Sequence, residues 1–328
     1  MMRPHIGWPT VADVALTVLS FTRLSFTSSS PVPLAIRMTN QQITDAASPW
    51  DNKLPLTFVI LTRNEEHNLP KCLASLMRYA NDVHVLDSGS TDSTVAIARA
   101  HAVTVHTNPF NGFGRQRNWA TDHIPHAHPW AFHLDADERL TSELADELRL
   151  LLATDPVEAG FYVPNKLLLG GHWLRYSSGY PVYQVRLFHR DRLRFENHGH
   201  GQREVTDGML GYLNQPYIHD AFAKGLDDWF AKHWRYAKAE AETLFADRRS
   251  LAETVSHAMT GDAVQRRRAI KSLAYRLPGR VFLRWFHSLI LNRGVVDGPA
   301  GWTYARMLAA YESMVTVHLS RIKNGIDL

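Results

Sequence analysis

The sequence predicts an α/β protein with a largely parallel sheet, and three observations carry the prediction. Short runs of branched apolar residues alternate with apolar residues at helical spacing. Polar and acidic side chains collect where each apolar run stops. The 328 residues, 45% of them apolar, suffice for a sizeable buried core.

The first run, Leu54 to Leu61, reads as a central strand buried on both faces. It ends in Thr62-Arg63-Asn64-Glu65-Glu66. Leu69, Leu73, Leu76 and Tyr79 then recur at helical spacing, with Cys72 among them as a buried thiol. Asp82 to Leu86 is a second strand, closed by Asp87-Ser88-Gly89-Ser90-Thr91-Asp92. Gly89 permits a tight turn there, and Ser90 or Thr91 can cap a helix from about Thr91 to His101. Ala102 to His106 gives a third strand and Trp130 to Leu134 a fourth.

The fourth strand runs into Asp135-Ala136-Asp137-Glu138, three carboxylates in four positions. If the extended backbone persists, Asp135 and Asp137 point the same way, which suits one divalent cation held together with substrate phosphates. The cluster also reads as an acidic loop before a helix, with Thr141 as its N-cap and Glu143 near the positive end of its dipole.

In parallel sheets ligands gather at the carboxyl ends of the strands, where Thr62 to Glu65, Asp87 and Asp135 to Asp137 all fall. A dinucleotide site would need Gly-x-Gly-x-x-Gly after the first strand, which Thr62 to Glu66 is not. Gly112-Phe113-Gly114 lacks the third glycine, and no P-loop occurs. A phosphatase of the haloacid-dehalogenase type would want an aspartate pair in place of Thr62-Arg63-Asn64. One cysteine excludes an internal disulfide framework and a thiolate metal cluster. The net charge is +4, and from Ala263 to Val296 there are eight Arg or Lys and no acid, a block suited to phosphate groups. There is no apolar run of about twenty residues. Residues 1–52 are expected to be an extension, either disordered or preceding a true start at Met38. Val11 to Phe21 is interrupted by Asp13, Thr17 and Ser20 and does not read as a signal peptide.

Together, Thr62-x-Asn64-Glu65, Asp87-Ser-Gly-Ser-Thr-Asp92, Gly114-x-x-Arg117-Asn118 and Asp135-Ala-Asp137 resemble family 2 glycosyltransferases of the GT-A fold. Within that family the chain resembles the subgroup that adds hexoses to the lipopolysaccharide inner core, over about residues 54 to 320. The resemblance implies a Rossmann-like GT-A domain over residues 53–220, with a donor half at 53–155 and an acceptor half at 156–220. A C-terminal helical, basic region follows at 221–328. It further implies a UDP-hexose donor, with UDP-glucose the first choice, a divalent metal (Mg2+ or Mn2+), a lipid-anchored saccharide acceptor and inversion without a covalent intermediate.

By position, Thr62, Asn64, Glu65 and Asp87 would contact uracil and ribose, with Arg117 nearby. Asp135 and Asp137 would form the metal and diphosphate motif, Asp137 being the main ligand, and His219 is a candidate further ligand. Arg63 stands where many members carry an aromatic residue. The subgroup's His-Glu pair, whose acid looks like the general base, is not intact here. Within Phe195 to Glu204, Glu204 is the first choice, His200 the second and Glu196 a third, while an ungapped comparison puts Gln202 at the acid.

Phe161 to Val163 and Tyr183 to Phe188 read as strands of the acceptor half, and Leu226 to Phe245 as a packing helix. From Gly279 to Asn292, Val281, Trp285 and Leu289 fall on one side of a helix, with Arg280, Arg284 and His287 on another. Such a helix suits an anionic membrane surface, which would place the protein peripherally on the cytoplasmic face of the inner membrane. It is equally an ordinary surface helix covering the core. No nucleic-acid motif accompanies the basic block. Arg293-Gly294-x-x-Asp297-Gly298 also looks like the subgroup, before a last helix from about Trp302 to Arg321. The rival readings are a nucleotide-sugar-binding membrane scaffold without turnover, and a nucleotidyltransferase using the same carboxylates.

Overall fold

The structure is a computed structural model that describes residues 53–198, 201–246, 251–260 and 279–326. Residues 1–52, His200, Arg266 to Arg268, Lys271, Arg276 and Pro278 lie outside the described residues.

The first half alternates as expected: β1 (Thr57–Thr62), α1 (Leu69–Leu76), β2 (Asp82–Asp87), α2 (Thr94–Ala100), β3 (Thr104–Thr107), α3 (Phe113–His123), β4 (Trp130–Asp135), β5 (Glu138–Arg139) and α4 (Ser142–Leu152). Strands then dominate, with β6 (Gly160–Leu169), β7 (His172–Trp173), β8 (Val182–His189), β9 (Arg194–His198), β10 (Gly201–Val205), β11 (Leu210–Tyr212) and β12 (Tyr217–His219). All described elements after His219 are helical: α5 (Gly225–Ala246), α6 (Leu251–Thr260), α7 (Arg280–Phe286), a π turn His287–Leu291, a 3-10 turn Gly294–Asp297 and α8 (Gly298–Asn324).

The main sheet runs in the order β3-β2-β1-β4-β8-β6-β12-β5, with β7 and β11 also pairing to β6. Its β3-β2-β1-β4 part is wholly parallel. Beyond it β8 is antiparallel to both β4 and β6. The parallel part is the largely parallel α/β sheet that the sequence predicts. Every residue of β1 is buried, and successive side chains serve opposite faces. Phe58 and Ile60 join the core under α1 and α4, while Val59 and Leu61 join Leu86, Ala120 and Ile124 under α3.

Two sequence motifs turn out to brace this frame. Gly114 opens α3 against the β9–β10 hairpin, where a Cβ would lie 2.5 Å from the Glu196 carbonyl carbon. Asn118 clasps the Phe195 backbone, donating to its carbonyl at 2.8 Å and accepting from its N–H at 2.9 Å. Asp297 accepts from the backbone N–H groups of Tyr176 and Ser177 at 3.0 and 2.7 Å, tying the loop after β7 to the start of α8. Along its length α8 packs on α5 through Val315, Ala237 and Ala241.

Two details depart from expectation. The cap of α2 is neither Ser90 nor Thr91; Asp92 accepts from Thr94 N–H at 3.0 Å instead. The basic helix is short, ends in the π turn, and spends Arg280 on an ion pair with Glu312 of α8. Its exposed side therefore carries Phe282, 62% exposed, beside the half-buried Trp285 and Phe286.

Candidate functional site

Strand ends and helix starts converge on two adjoining clefts. The larger, about 810 Å³, is lined by Thr62 to Glu65, Ser88, Phe110, Phe113, Asp135, Asp137, His219 and the α5 residues Asp228, Lys232, Arg235 and Tyr236. The smaller, about 400 Å³, is lined by Arg117, Asp135, Tyr162, Tyr183, Gln184, Arg186, Gln202 and Glu204. Asp135, Phe113 and Gly201 line both, so the clefts meet at the end of β4.

The floor of the larger cleft is a pair of cross-stitched loops. Asn64, in left-handed backbone at φ 54°, donates its N–H to Ser90 Oγ and accepts Thr91 N–H on its side chain, each at 2.8 Å. Glu65 N–H reaches Thr94 Oγ1 at 2.7 Å. The Glu65 carboxylate pairs with Lys224 and accepts from Asn68 at 2.8 Å. Burial raises its pKa, against the pull of Lys224. Thr62 is buried and donates to Asp87 at 3.0 Å.

Asp87 was expected to meet uracil or ribose. Its carboxylate instead organises the turn, accepting from Gly89 N–H at 2.9 Å, Ser90 N–H at 2.8 Å, and the hydroxyls of Ser90 and Thr62. The neighbouring Ser88 lines the cleft in its place. Arg63, at the position of an expected aromatic, lines the cleft too, while Phe110 and Phe113 stand edge to face, ring centroids 5.0 Å apart, on the same cleft.

Arg117 also departs from its expected place near the nucleoside. It lies on the inward face of α3, 1% exposed, and serves the smaller cleft. Its Nη2 donates to Asp135 Oδ1 at 3.0 Å and its Nε to Gln202 at 2.6 Å. Arg186, 2% exposed, donates to Asp135 Oδ2 at 3.0 Å and pairs with the fully buried Glu138. The four charges form a square in which Arg117, Arg186 and Glu138 are buried and Asp135, 31% exposed, faces the clefts. Burial works against the Asp135 anion, but Arg186 and then Arg117 hold its carboxyl well below the carboxylate range. Burial lowers Arg117 to about 10, with Arg186 adding to the effect.

These contacts set Asp135 apart from Asp137, which the sequence reads together as one metal and diphosphate motif. The strand stops at Asp135, and a turn places Asp137 toward β12, where His219 Nε2 lies 3.5 Å from its Oδ2. Both Asp135 oxygens already accept from guanidinium groups. Among the described residues no group of three or more His, Cys, Asp or Glu gathers as a metal cluster. Asp137 and His219, each about a quarter exposed on the larger cleft, nevertheless offer one carboxylate oxygen set and one imidazole. That donor set fits a divalent cation completed by phosphate oxygens and water. Burial would lower the His219 pKa, but the Asp137 carboxylate raises it to about 9, so a cation at this position would take the place of a proton.

Of the base candidates, Glu204 lines the smaller cleft and accepts from the Tyr162 hydroxyl. Glu196 is exposed on β9, opposite Arg203. Gln202 is committed to Arg117. The sequence reading missed Arg186 and Glu138, which lie 48 residues apart and meet only in the sheet. It also read α5 as packing alone and so missed Lys232 and Arg235, with Lys224 just before the helix, on the cleft wall. A cationic row next to Trp229 and Trp234 at helical spacing was the available signal.

A cleft at the carboxyl ends of parallel strands, stitched by polar loops and joined to a second cleft bearing a carboxylate, is where α/β sheets bind ligands. Residues 57–200 match the family model described as glycosyl transferase family 2. The chain is 34% identical over 159 residues to a lipopolysaccharide core biosynthesis glycosyltransferase, LpsC, of Rhizobium meliloti, covering 47% of this chain and 55% of that protein. It is 33% identical over 113 residues to an uncharacterized glycosyltransferase of Rickettsia typhi, covering 34% of this chain and 38% of that one. The chain thus spans about half or less of the length of these relatives. Among solved structures, glucosyl-3-phosphoglycerate synthase from Mycobacterium tuberculosis, in complex with Mn2+, UDP and glucosyl-3-phosphoglycerate, aligns at a TM-score of 0.38 and 17% identity, over 58% of this chain and 79% of that one.

Proposed function

We propose that the protein is an inverting, metal-dependent glycosyltransferase that moves a hexose from a UDP-hexose, UDP-glucose first, to a sugar hydroxyl of a lipid-linked oligosaccharide such as the lipopolysaccharide inner core. The observation that carries this reading is the meeting of the two clefts at Asp135, one at the strand ends with both basic and acidic side chains, the other bearing Glu204.

In this reading the larger cleft takes the donor. Asn64, Glu65 and Ser88 supply polar contacts to the nucleoside, and Phe110 with Phe113 offers the aromatic surface that Arg63 does not. Lys232 and Arg235 face the diphosphate charge from α5. Asp137 and His219 would hold the divalent cation, which when bound offsets charge developing on the leaving diphosphate as a Lewis acid. Arg117 and Arg186 fix Asp135 at the junction, which keeps donor and acceptor in register. Glu204 accepts the proton of the attacking hydroxyl, with Tyr162 orienting its carboxylate. Inversion follows from one displacement with base and leaving group on opposite sides of the sugar.

Membrane contact is the finer part of the proposal. Among the described residues no helix is long and apolar enough to cross a membrane. Phe282 and Val296, each 62% exposed, and Trp302, 38% exposed, stand near the exposed Arg284 and Arg293. That combination suits the interface of an anionic lipid surface at the cytoplasmic face of the inner membrane. The test is incubation with radiolabelled UDP-glucose, Mn2+ and a truncated lipopolysaccharide. Label is expected in the lipid-linked saccharide. UDP binding without transfer to any of a broad acceptor panel would favour a binding scaffold instead.

A further inference from the structure

The smaller cleft opens onto a cluster of tyrosines of which the transfer chemistry uses Tyr162 alone. Strand register brings them to one face: Tyr212 of β11 lies beside Tyr162 of β6, and Tyr183 of β8 lies opposite Pro164, two residues along β6. Tyr162 and Tyr212 stack at 4.9 Å between centroids with 27° between planes. Tyr183 meets Tyr212 edge-on at 5.2 Å and 88°. Tyr183 is 37% and Tyr212 53% exposed, far more than core packing of aromatic rings requires. Tyr162 and Tyr183 line the cleft itself, next to Glu204.

An exposed aromatic face beside a carboxylate is complementary to one ligand chemistry. A pyranose ring presents a C–H face to lie on an aromatic ring and a rim of hydroxyls to bond polar groups. We propose that Tyr183 and Tyr212, backed by Tyr162, form a platform on which a pyranose ring of the acceptor lies, presenting a hydroxyl to Glu204. This rests on the sugar-transfer reading and adds to it the residues that select the acceptor.

The experiment titrates a deacylated heptose-terminated inner-core oligosaccharide, and separately UDP with Mn2+, onto wild type and the variants Tyr183→Ala, Tyr212→Ala, Tyr212→Leu and Tyr212→Phe. Oligosaccharide affinity is expected to fall about ten-fold or more in the Ala and Leu variants and to stay within about two-fold in Tyr212→Phe, which keeps the ring. UDP affinity should be unchanged throughout, and it doubles as the check that each variant is folded. Oligosaccharide binding that stays at the wild-type level in both Ala variants overturns the platform alone. Wild-type protein that binds UDP but no oligosaccharide overturns the platform together with the transfer reading. Wild-type protein that binds the oligosaccharide on these tyrosines but not UDP supports the platform and removes the donor assignment.

Discussion

The guanidinium of Arg117 and the carboxylate of Asp135 are joined at 3.0 Å across the boundary between the two clefts, with the arginine 1% exposed. Arg186 approaches the other oxygen at the same distance, and Glu138 closes the group from below. A cluster with three of its four charges buried adds little net stability, yet removing a buried member leaves its partners uncompensated. Arg186→Met should therefore destabilise the fold by about 3–5 kcal/mol, read as a lower urea midpoint. A midpoint unchanged from wild type would contradict the network.

Asp82 is a second electrostatic anchor, far from the clefts. Burial alone would raise its pKa, but Thr57, the Ala127 N–H and His84 outweigh burial and hold it below the ordinary 3.8. A depressed folded value means that stabilisation is fully present above the unfolded pKa and is lost as pH falls through the folded one. Urea midpoints of wild type and Asp82→Asn should therefore differ at neutral pH and converge below about pH 4. A constant gap down to the acid limit would contradict this.

Asp137 is the carboxylate facing His219 on the larger cleft. Asp137→Ala should weaken Mn2+-dependent UDP binding by about ten-fold or more while metal-free UDP binding changes little. Calorimetric titration with and without Mn2+ separates the two. Equal binding of wild type and variant in the presence of metal would move the cation elsewhere.

For the exposed aromatics of α7, cosedimentation with anionic vesicles is the measurement. Fully inserting one such side chain contributes about 1.5–3 kcal/mol, so Phe282→Ser should lower vesicle binding about ten-fold. Salt should weaken binding of both proteins by screening Arg284 and Arg293. Salt-insensitive absence of wild-type binding would remove the membrane contact.

Much of the frame was legible because it rests on local patterns. β1 through β4 announce themselves as branched apolar runs, and the period of two in Phe58 to Leu61 settles both faces of the sheet. Asp87 and Asn118 were visible as motif residues, and the structure shows each bonding its surroundings: a carboxylate that organises its turn, and a clasp on Phe195. Sequence spacing marks that a residue matters without saying whether it meets a ligand or a backbone. The square of Arg117, Asp135, Glu138 and Arg186 was illegible, since β8 joins β4 only through antiparallel pairing across the sheet. The tyrosine face was hidden for the same reason, each ring coming from a different strand. Asp135 and Asp137 looked alike in sequence, and only the turn after β4 assigns one to arginines and the other to a histidine.

The most direct test of the whole account is sugar transfer by Glu204→Gln. The variant keeps the shape of the smaller cleft and the Tyr162 contact but cannot take a proton. With UDP-glucose, Mn2+ and truncated lipopolysaccharide, wild type should transfer hexose, and Glu204→Gln should bind UDP normally while turning over about 100- to 10,000-fold more slowly. Wild-type rates in Glu204→Gln would contradict the assignment of the smaller cleft as the place where the acceptor hydroxyl is activated.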